Sequence, residues 1–216
     1  MSRLHSSPRK SPRKGRPADP SKRKAILAAA TRSFFDHGFA ATSIEQVAAD
    51  AGVSKVTIYN QFVDKPGLFT AAVEAECERI QGYFQIEAAA GGSLRARLTA
   101  IGEAMSAFLS RPEMVQFERR IAAETEREPA LGATFLAAGP HRMKQAFTAL
   151  LKAMDEAGEV AIDDPELAAE QFAAMCKGMG DLERRFGMPK DDKRDAERVE
   201  GAVEVFCRAY ACASEV

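Results

Sequence analysis

The sequence predicts an all-α protein, and three observations support that prediction. Alanine is abundant, β-branched residues are sparse and Trp is absent, which is a composition that favours helices over sheets. Apolar residues recur at helical spacing along most of the 216 residues. No segment alternates apolar and polar residues for long enough to form a strand.

The first two helices have recognisable ends. Order is expected to begin near Ser21, and the first helix ends at Gly38, in the position that a C-terminal glycine prefers. Thr42 and Glu45 have the spacing of a capping box. That box predicts a short second helix over about 43–51.

A third short helix follows after a tight turn. Gly52 ends the second helix, and Ser54 caps a third helix over about 55–61. Asp64 caps a fourth helix that begins at about 65 and extends into the 80s. Two short helices joined by such a turn are typical of a helix-turn-helix.

The remainder of the chain is expected to be helical as well. Beyond a loop at 88–93, glycine and proline residues mark the helix ends. Helices are expected near 94–110, 113–126, 130–138, 141–157, 165–186 and 191–212.

The first four helices carry a distinctive set of residues in a fixed order. They are Phe34, Gly38, Phe39, Thr42, Ser43, the Ala-Gly-Val-Ser of 51–54, Ile58, Tyr59, Phe62, Lys65 and Leu68. In this order, the segment 26–69 resembles the DNA-binding domain of the tetracycline-repressor (TetR) family. We therefore expect a helix-turn-helix DNA-binding domain over 21–68 and a helical ligand-binding and dimerisation domain over 69–216.

The third helix would be the recognition helix, whose exposed side chains meet base edges in the major groove. Lys55 can donate to guanine O6 and N7, and Asn60 or Gln61 can pair with adenine. The methyl groups of Val56 or Thr57 can contact a thymine methyl. The family often has glycine or a small residue where Val56 stands, which indicates a less usual operator.

The resemblance also implies three phosphate contacts. They come from Ser43 at the start of the second helix, from Tyr59, and from Lys65 at the start of the fourth. Helix N-termini are good phosphate sites in general. The alternatives are a core aromatic for Tyr59 and a solvated surface lysine for Lys65.

The N-terminal arm differs in charge from the body of the protein. Residues 1–24 contain nine basic side chains and one acid, whereas the 21 basic and 30 acidic residues of 25–216 leave a net charge of −9. The Pro- and Ser-rich segment 1–20 is expected to be disordered in isolation. It is either a solvated tail or an arm for a polyanion.

Short motifs in the arm favour DNA as its partner. The run Lys14-Gly15-Arg16-Pro17 resembles an AT-hook core, and the SPRK repeats at 7–10 and 11–14 resemble minor-groove-binding repeats of chromatin proteins. Arginines favour the negative potential of narrow A·T tracts. The candidate minor-groove residues are Arg9, Lys10, Arg13, Lys14 and Arg16.

The last two helices carry apolar stripes that either face a second copy of the chain or the chain's own core. The family dimerises through its last two long helices, so the resemblance implies a homodimer. A dimer with two-fold symmetry needs a near-palindromic DNA site. The candidate interface residues are Met175, Met179, Leu182, Val199, Val203, Phe206 and Tyr210.

The middle helices would enclose a pocket for a small-molecule effector. The stretches 117–140 and 163–175 resemble the AefR-like branch of the family's regulatory domains. Their Met and Phe residues suit an apolar or aromatic ligand, although core packing explains them equally well. The candidate lining residues are Phe108, Phe117, Phe135, Met143 and Phe147.

The sequence contains no motif for catalysis, a cofactor or a metal. It has no nucleophile elbow, phosphate loop or His-x-x-x-His zinc motif, and its four cysteines form no CxxC pair. It also has no signal peptide and no apolar run of about 20 residues that could span a membrane. We expect a cytoplasmic protein that is not an enzyme and whose thiols are reduced, a thiol sensor being the alternative.

These expectations combine into a transcriptional regulator. A homodimer would hold double-stranded DNA until a small-molecule effector changes the separation of its recognition helices. Repression is the usual mode of the family, and activation stays open. The other class of function is an architectural DNA-binding protein, in which the basic arm dominates binding and the large domain serves only dimerisation.

Overall fold

A computed structural model describes residues 19–89 and 92–212, with the backbone alone for 83–89. Within these ranges the chain forms ten α-helices and no strand, and one isolated bridge pairs Val160 with Ala211. The helix ends lie within a few residues of those that the sequence predicts. The helices are α1 (Pro20–Ala41), α2 (Ile44–Asp50), α3 (Lys55–Phe62), α4 (Lys65–Ala89), α5 (Leu94–Leu109), α6 (Pro112–Thr125), α7 (Pro129–Ala138), α8 (Pro140–Glu156), α9 (Pro165–Arg185) and α10 (Asp192–Tyr210).

The junction of α1 and α2 departs from the predicted capping box. Gly38 leaves the helical conformation, with φ 84°, and the chain makes one more turn to Ala41. The Thr42 hydroxyl is buried and donates to the Gly38 carbonyl at 2.8 Å. Ser43 is the residue that caps α2, because its Oγ accepts from the Gln46 amide at 3.1 Å. The assignment of Thr42 as the cap was therefore wrong by one residue.

The turn between α2 and α3 has the predicted residues. Gly52 has φ 65°, a conformation that favours glycine. Ser54 caps α3, and its Oγ accepts from the Thr57 amide at 3.2 Å. The Asp64 carboxylate accepts from the Gly67 amide at 2.7 Å at the start of α4. Both predicted caps are confirmed.

The core consists of two clusters of buried residues. The first joins α1, α2, α3 and α4 to α6 and α7, and it is built around the rings of Phe34, Phe39, Phe69 and Phe117. The second joins α4, α5, α8, α9 and α10. Packing is therefore continuous from the first helices into the larger helical part.

The apolar stripe of α10 lies in the chain's own core. Val199, Val203 and Phe206 are 1–2% exposed within the second cluster. Tyr210 packs on Phe206 at 4.8 Å between ring centroids, and its hydroxyl donates to Gln171 at 3.1 Å. The assignment of Val199, Val203 and Phe206 to a dimer interface was wrong, because their side chains are already covered within one chain.

Helix α9 is interrupted, which the sequence analysis did not predict. Gly178 takes φ 48° and ψ −154° in the middle of the helix. The Arg198 side chain of α10 occupies the adjacent space, and a Cβ atom on Gly180 would lie 2.2 Å from its Nη1. Beyond the break, a buried ion pair of 3.0 Å joins Arg184 to Asp195. The break is thus fixed by contacts between α9 and α10.

Candidate nucleic-acid interface and ligand cavity

Helix α3 presents one open face to solvent. Ile58 and Phe62 are buried and hold the helix against α2 and α4. The opposite face exposes Val56 and Tyr59, which are 66% and 46% exposed, together with Asn60. Exposed apolar and aromatic side chains on so short a helix favour a contact outside the chain.

Two of the five predicted base-contacting residues are less accessible than the others. Thr57 is half-buried, and its hydroxyl lies 2.9 Å from the Ser54 hydroxyl. Gln61 is half-buried, and its Oε1 atom is buried without a hydrogen-bond partner among the described residues. The structure therefore presents Lys55, Val56 and Asn60 more openly than these two.

Lys55 is paired with a carboxylate that sequence reasoning placed in a capping box. Its ammonium lies 2.5 Å from Glu45 Oε1, which joins the start of α3 to the first turn of α2. The hydrogen bond with Glu45 raises the pKa of Lys55, and the same bond lowers the pKa of Glu45. Both groups are exposed, so water and salt screen the pair strongly.

The three predicted phosphate contacts occupy different surroundings. Ser43 is exposed at the N-terminus of α2, and Tyr59 is exposed on α3 rather than packed in the core. Lys65 donates to the Ala40 carbonyl at 3.1 Å and lies 4.7 Å from the ring centroid of Phe39. Burial lowers the pKa of Lys65. Lys65 thus joins the start of α4 to the end of α1.

The arm residues fall outside the described part of the chain. Arg9, Lys10, Arg13, Lys14 and Arg16 precede residue 19, where the description begins. Minor-groove contact by the arm stays a prediction.

A cavity of about 810 Å³ lies within the larger helical part. Helices α4 to α9 surround it, and its wall is mostly apolar. The five residues proposed from the sequence all line this one cavity: Phe108, Phe117, Phe135, Met143 and Phe147. Sequence reasoning missed Phe35, which reaches the cavity from α1.

The aromatic residues of the cavity wall stack on one another. The Phe35 and Phe117 rings lie 4.3 Å apart at their centroids with an angle of 5° between their planes. Phe135 meets Phe117 edge-on at 5.6 Å. The Phe34-Phe35 pair was a signal in the sequence, because two adjacent aromatics on a helix point in different directions.

Charged groups lie at the side of the cavity where α6 meets α9. Arg185 Nη2 contacts Glu118 at 3.0 Å and Asp181 at 3.1 Å. Burial raises the pKa of Glu118, and the nearby positive charge of Arg185 opposes that rise.

On the α4 side of the cavity, burial raises the pKa of the Cys77 thiol to about 11. Cys77 is therefore a protonated, weakly reactive thiol at neutral pH.

Polar contacts connect α6 to the end of α1. The Glu124 carboxylate accepts from the Ala40 amide at 2.8 Å, and the Arg120 guanidinium donates to the Phe35 carbonyl. A Cβ atom on Gly38 would lie 2.3 Å from Glu124 Oε1. The same helix that lines the cavity with Phe117 therefore holds the segment that precedes α2.

The described residues hold no group of three or more His, Cys, Asp or Glu side chains that could bind a metal ion. Among the described helices, none is long and apolar enough to cross a membrane.

Two family models match the chain. Residues 26–72 match the bacterial regulatory proteins of the tetR family, and residues 96–212 match the C-terminal domain of the AefR-like transcriptional repressor. A search of curated proteins gave no match.

Solved structures of TetR-family regulators are similar over most of their length. A protein from Mesorhizobium loti MAFF303099 that is assigned to the family is 26% identical, with a TM-score of 0.75 and coverage of 89% of this chain and 98% of that one. The Flavonoid-responsive Regulator FrrA is 28% identical, with a TM-score of 0.69 and coverage of 90% and 100%. A TetR family regulator from Pseudomonas syringae pv. tomato str. DC3000 is 26% identical, with a TM-score of 0.61 and coverage of 88% and 96%.

The matched segments coincide with the two parts of the structure. The first segment contains α2, α3 and the open face of α3, and the second contains most of the cavity wall. Together, the helix-turn-helix, the helical C-terminal part and these matches identify the chain as a member of the TetR family of bacterial transcriptional regulators, with an AefR-like C-terminal domain.

Proposed function

We propose that the protein is a ligand-responsive transcriptional regulator, acting by default as a repressor. It binds a near-palindromic operator as a homodimer and leaves it when a small apolar or aromatic effector fills the cavity. One observation carries this proposal: the Phe35 ring of α1 is part of the cavity wall and stacks on Phe117 of α6. A ligand in the cavity therefore touches the helix that supports the DNA-binding segment.

The open face of α3 would enter the major groove. Lys55, Val56 and Asn60 would meet base edges, and their exposure supports this part of the proposal, whereas Thr57 and Gln61 would need side-chain rearrangement. A lysine pairs with guanine and an asparagine with adenine, while a valine contacts a thymine methyl.

Phosphate contacts would fix the orientation of α3. The exposed Ser43 lies at the N-terminus of α2, where the helix dipole favours an anion. Tyr59 supplies a hydroxyl from the exposed face of α3. Lys65 uses one of its three donors on the Ala40 carbonyl, so the same ammonium could contact a phosphate while it joins α4 to the end of α1.

Release follows from the contacts between α6 and α1. An effector that displaces Phe117 or Phe35 moves α6 against α1, where Glu124 and Arg120 hold the backbone of Ala40 and Phe35. The end of α1 leads directly into α2. Such a ligand lowers DNA affinity only to the extent that it binds the DNA-incompetent arrangement more tightly.

The shape and lining of the cavity support an apolar or aromatic effector. Its volume of about 810 Å³ is in the range of small-molecule sites, and phenylalanine rings form much of its wall. The similar regulator FrrA is flavonoid-responsive. The phenylalanine lining and the similarity to that regulator together support an aromatic effector for this chain.

A homodimer would use the solvent-facing side of α9. Met179, Leu182 and Phe186 are 60%, 47% and 80% exposed and follow one another at spacings of three and four residues. Large apolar side chains exposed in series mark an interaction surface. Of the seven interface candidates, Met179 and Leu182 keep that role, while Met175 is half-buried against the second cluster.

Selection of bound fragments from genomic DNA by the full-length protein at moderate salt tests this proposal. A near-palindromic motif beside a few promoters is the expected outcome. The nine basic residues of 1–24 favour a second candidate, an architectural protein in which the arm dominates binding. Broad recovery of A·T-rich DNA without a palindrome would support that candidate and contradict the regulator. A regulator of this kind acts in the cytoplasm, in contact with the genome.

A further inference from the structure

One wall of the cavity is charged, in contrast to the phenylalanine wall. The charges come mainly from α9, which also supplies the small residues Ala173 and Ala174 to the same wall. The charged lining residues on this side are Glu118, Lys144, Glu170, Lys177, Asp181 and Arg185.

Two of the three cations in that wall are held by carboxylates. Arg185 is shared by Glu118 and Asp181, at 3.0 and 3.1 Å. Lys144 lies 2.6 Å from Glu166 and 2.9 Å from Glu170. Both cations are therefore committed to contacts within the chain.

Lys177 is different from the other two. Among the described residues, no carboxylate oxygen lies within 4.0 Å of its ammonium. Its side chain is half-buried, and its charge acts on Glu118, where it opposes the rise that burial causes in the pKa of that carboxyl. Lys177 therefore lines the cavity and interacts with Glu118 at longer range, but forms no salt bridge among the described residues.

A mostly apolar cavity whose wall holds a cation outside any salt bridge, Lys177, favours a particular ligand chemistry. The ammonium of lysine is a compact point charge with three donors, and it pairs well with a carboxylate. A charge-assisted hydrogen bond of this kind is stronger at a partly buried site than in water. Ala173 and Ala174, about one helical turn before Lys177 on α9, are small residues that line the same cavity.

We propose that the effector is an apolar monoanion, an aromatic or alkyl carboxylate, whose body packs against the phenylalanine wall and whose carboxylate pairs with Lys177. This inference rests on the proposed function, since it assumes that the cavity is the effector site. It adds a charge requirement that the phenylalanine lining alone does not impose.

The test is competition against a neutral probe bound to the full-length protein. The probe is N-phenyl-1-naphthylamine, whose fluorescence rises in apolar cavities. The competitors are ω-phenylalkanoates of increasing chain length, each matched with its primary amide, which has nearly the same shape without the charge. The variants are Lys177→Gln and Lys177→Arg. Lys193→Gln, on the exposed first turn of α10, is the matched control.

The best acid should compete roughly tenfold more strongly than its amide in the parent protein and in Lys193→Gln. That preference should disappear in Lys177→Gln and return in Lys177→Arg, while the neutral probe binds all variants alike. Equal competition by acid and amide in the parent protein would overturn the inference and leave the cavity as a ligand site. A preference for the acid over its amide that survives in Lys177→Gln would also overturn the inference and leave the cavity as a ligand site. A probe that does not bind at all would overturn the ligand cavity, and with it both proposals.

Discussion

The Phe35 ring of α1 lies parallel to the Phe117 ring of α6, with 4.3 Å between the centroids and 5° between the planes. Both rings line the cavity. Phe35 of the first helix is therefore part of the cavity wall, and a molecule that filled this end of the cavity would contact it. The Glu124 carboxylate of α6 also accepts a hydrogen bond from the Ala40 amide at 2.8 Å, so α1 and α6 are joined by a polar contact as well as an aromatic one.

Replacing Gly38 by alanine should destabilise the protein. Gly38 has φ 84°, and an added Cβ atom would lie 2.3 Å from Glu124 Oε1. The strained backbone and the displaced carboxylate together should cost about 2 kcal/mol of the free energy of unfolding. Urea unfolding followed by circular dichroism measures this.

The matched control for Gly38→Ala is Gly82→Ala. Gly82 lies within α4 and has nothing within 4 Å of an added Cβ atom. Alanine there should stabilise the protein by roughly 0.5–1 kcal/mol, as it does in helix interiors. Equal unfolding midpoints for Gly38→Ala and the parent protein would show that the α1–α6 junction does not depend on this turn.

Replacing Asn60 by alanine should weaken sequence-specific DNA binding. Asn60 is exposed on α3, so the variant should fold normally. Losing a base contact costs about 1–3 kcal/mol on the selected operator and almost nothing on bulk DNA. Fluorescence anisotropy on both DNAs measures the difference, with Gln145→Ala on α8 as control. An equal loss on both DNAs would mean that Asn60 contacts phosphate and does not read a base.

Replacing Glu118 by glutamine should change how stability depends on pH. Burial raises the pKa of Glu118 above its ordinary value of 4.5, so the folded chain binds this proton more tightly than the unfolded chain. The resulting stabilisation is complete below pH 4.5 and is lost as the pH rises through the folded-state pKa. Glutamine does not titrate. The variant should therefore gain stability relative to the parent protein as the pH rises from 4.5 to 7.

Urea unfolding at a series of pH values tests the Glu118 prediction. The exposed Glu103→Gln on α5 controls for the loss of one carboxylate. A constant difference in unfolding free energy between Glu118→Gln and the parent protein from pH 4.5 to 7 would contradict it.

A double charge substitution at the C-terminal end of α9, at Leu182 and at Phe186 directly after the helix, should separate the dimer. Leu182 and Phe186 are 47% and 80% exposed in the single chain, so Leu182→Glu with Phe186→Glu should leave the fold of the monomer intact. Buried carboxylates facing each other across a two-fold axis prevent association. Sedimentation equilibrium should give the monomer mass for this variant and the dimer mass for Leu182→Met with Phe186→Leu. A dimer that persists in the charged variant would place the interface elsewhere.

Local signals in the sequence predicted the helices well. Glycine and proline end helices through their own backbone, so the ends could be placed without knowledge of the fold. The cap of α2 shows the limit of such signals. Thr42 with Glu45 and Ser43 with Gln46 both fit a capping box, and only the buried hydrogen bond from Thr42 to Gly38 decides between them.

Contacts between distant residues could not be predicted in the same way. The spacing of apolar residues along α10 indicates that Val199, Val203 and Phe206 are buried. The same spacing is expected whether these residues face a partner chain or the chain's own core. The hydrogen bond from the Ala40 amide to Glu124 joins residues 84 positions apart, and no local sequence pattern predicts it. The five cavity residues were found because large apolar side chains accumulate there, although their role as ligand contacts stays a prediction.

The proposed release from DNA requires that the cavity and the exposed face of α3 are coupled. A compound that raises the melting temperature of the full-length protein should be added at saturation while affinity for the selected operator is measured by anisotropy. Operator affinity should fall at least about fivefold, and operator DNA should weaken binding of the compound by the same factor. An operator affinity that stays unchanged with the cavity occupied would show that the two sites are not coupled.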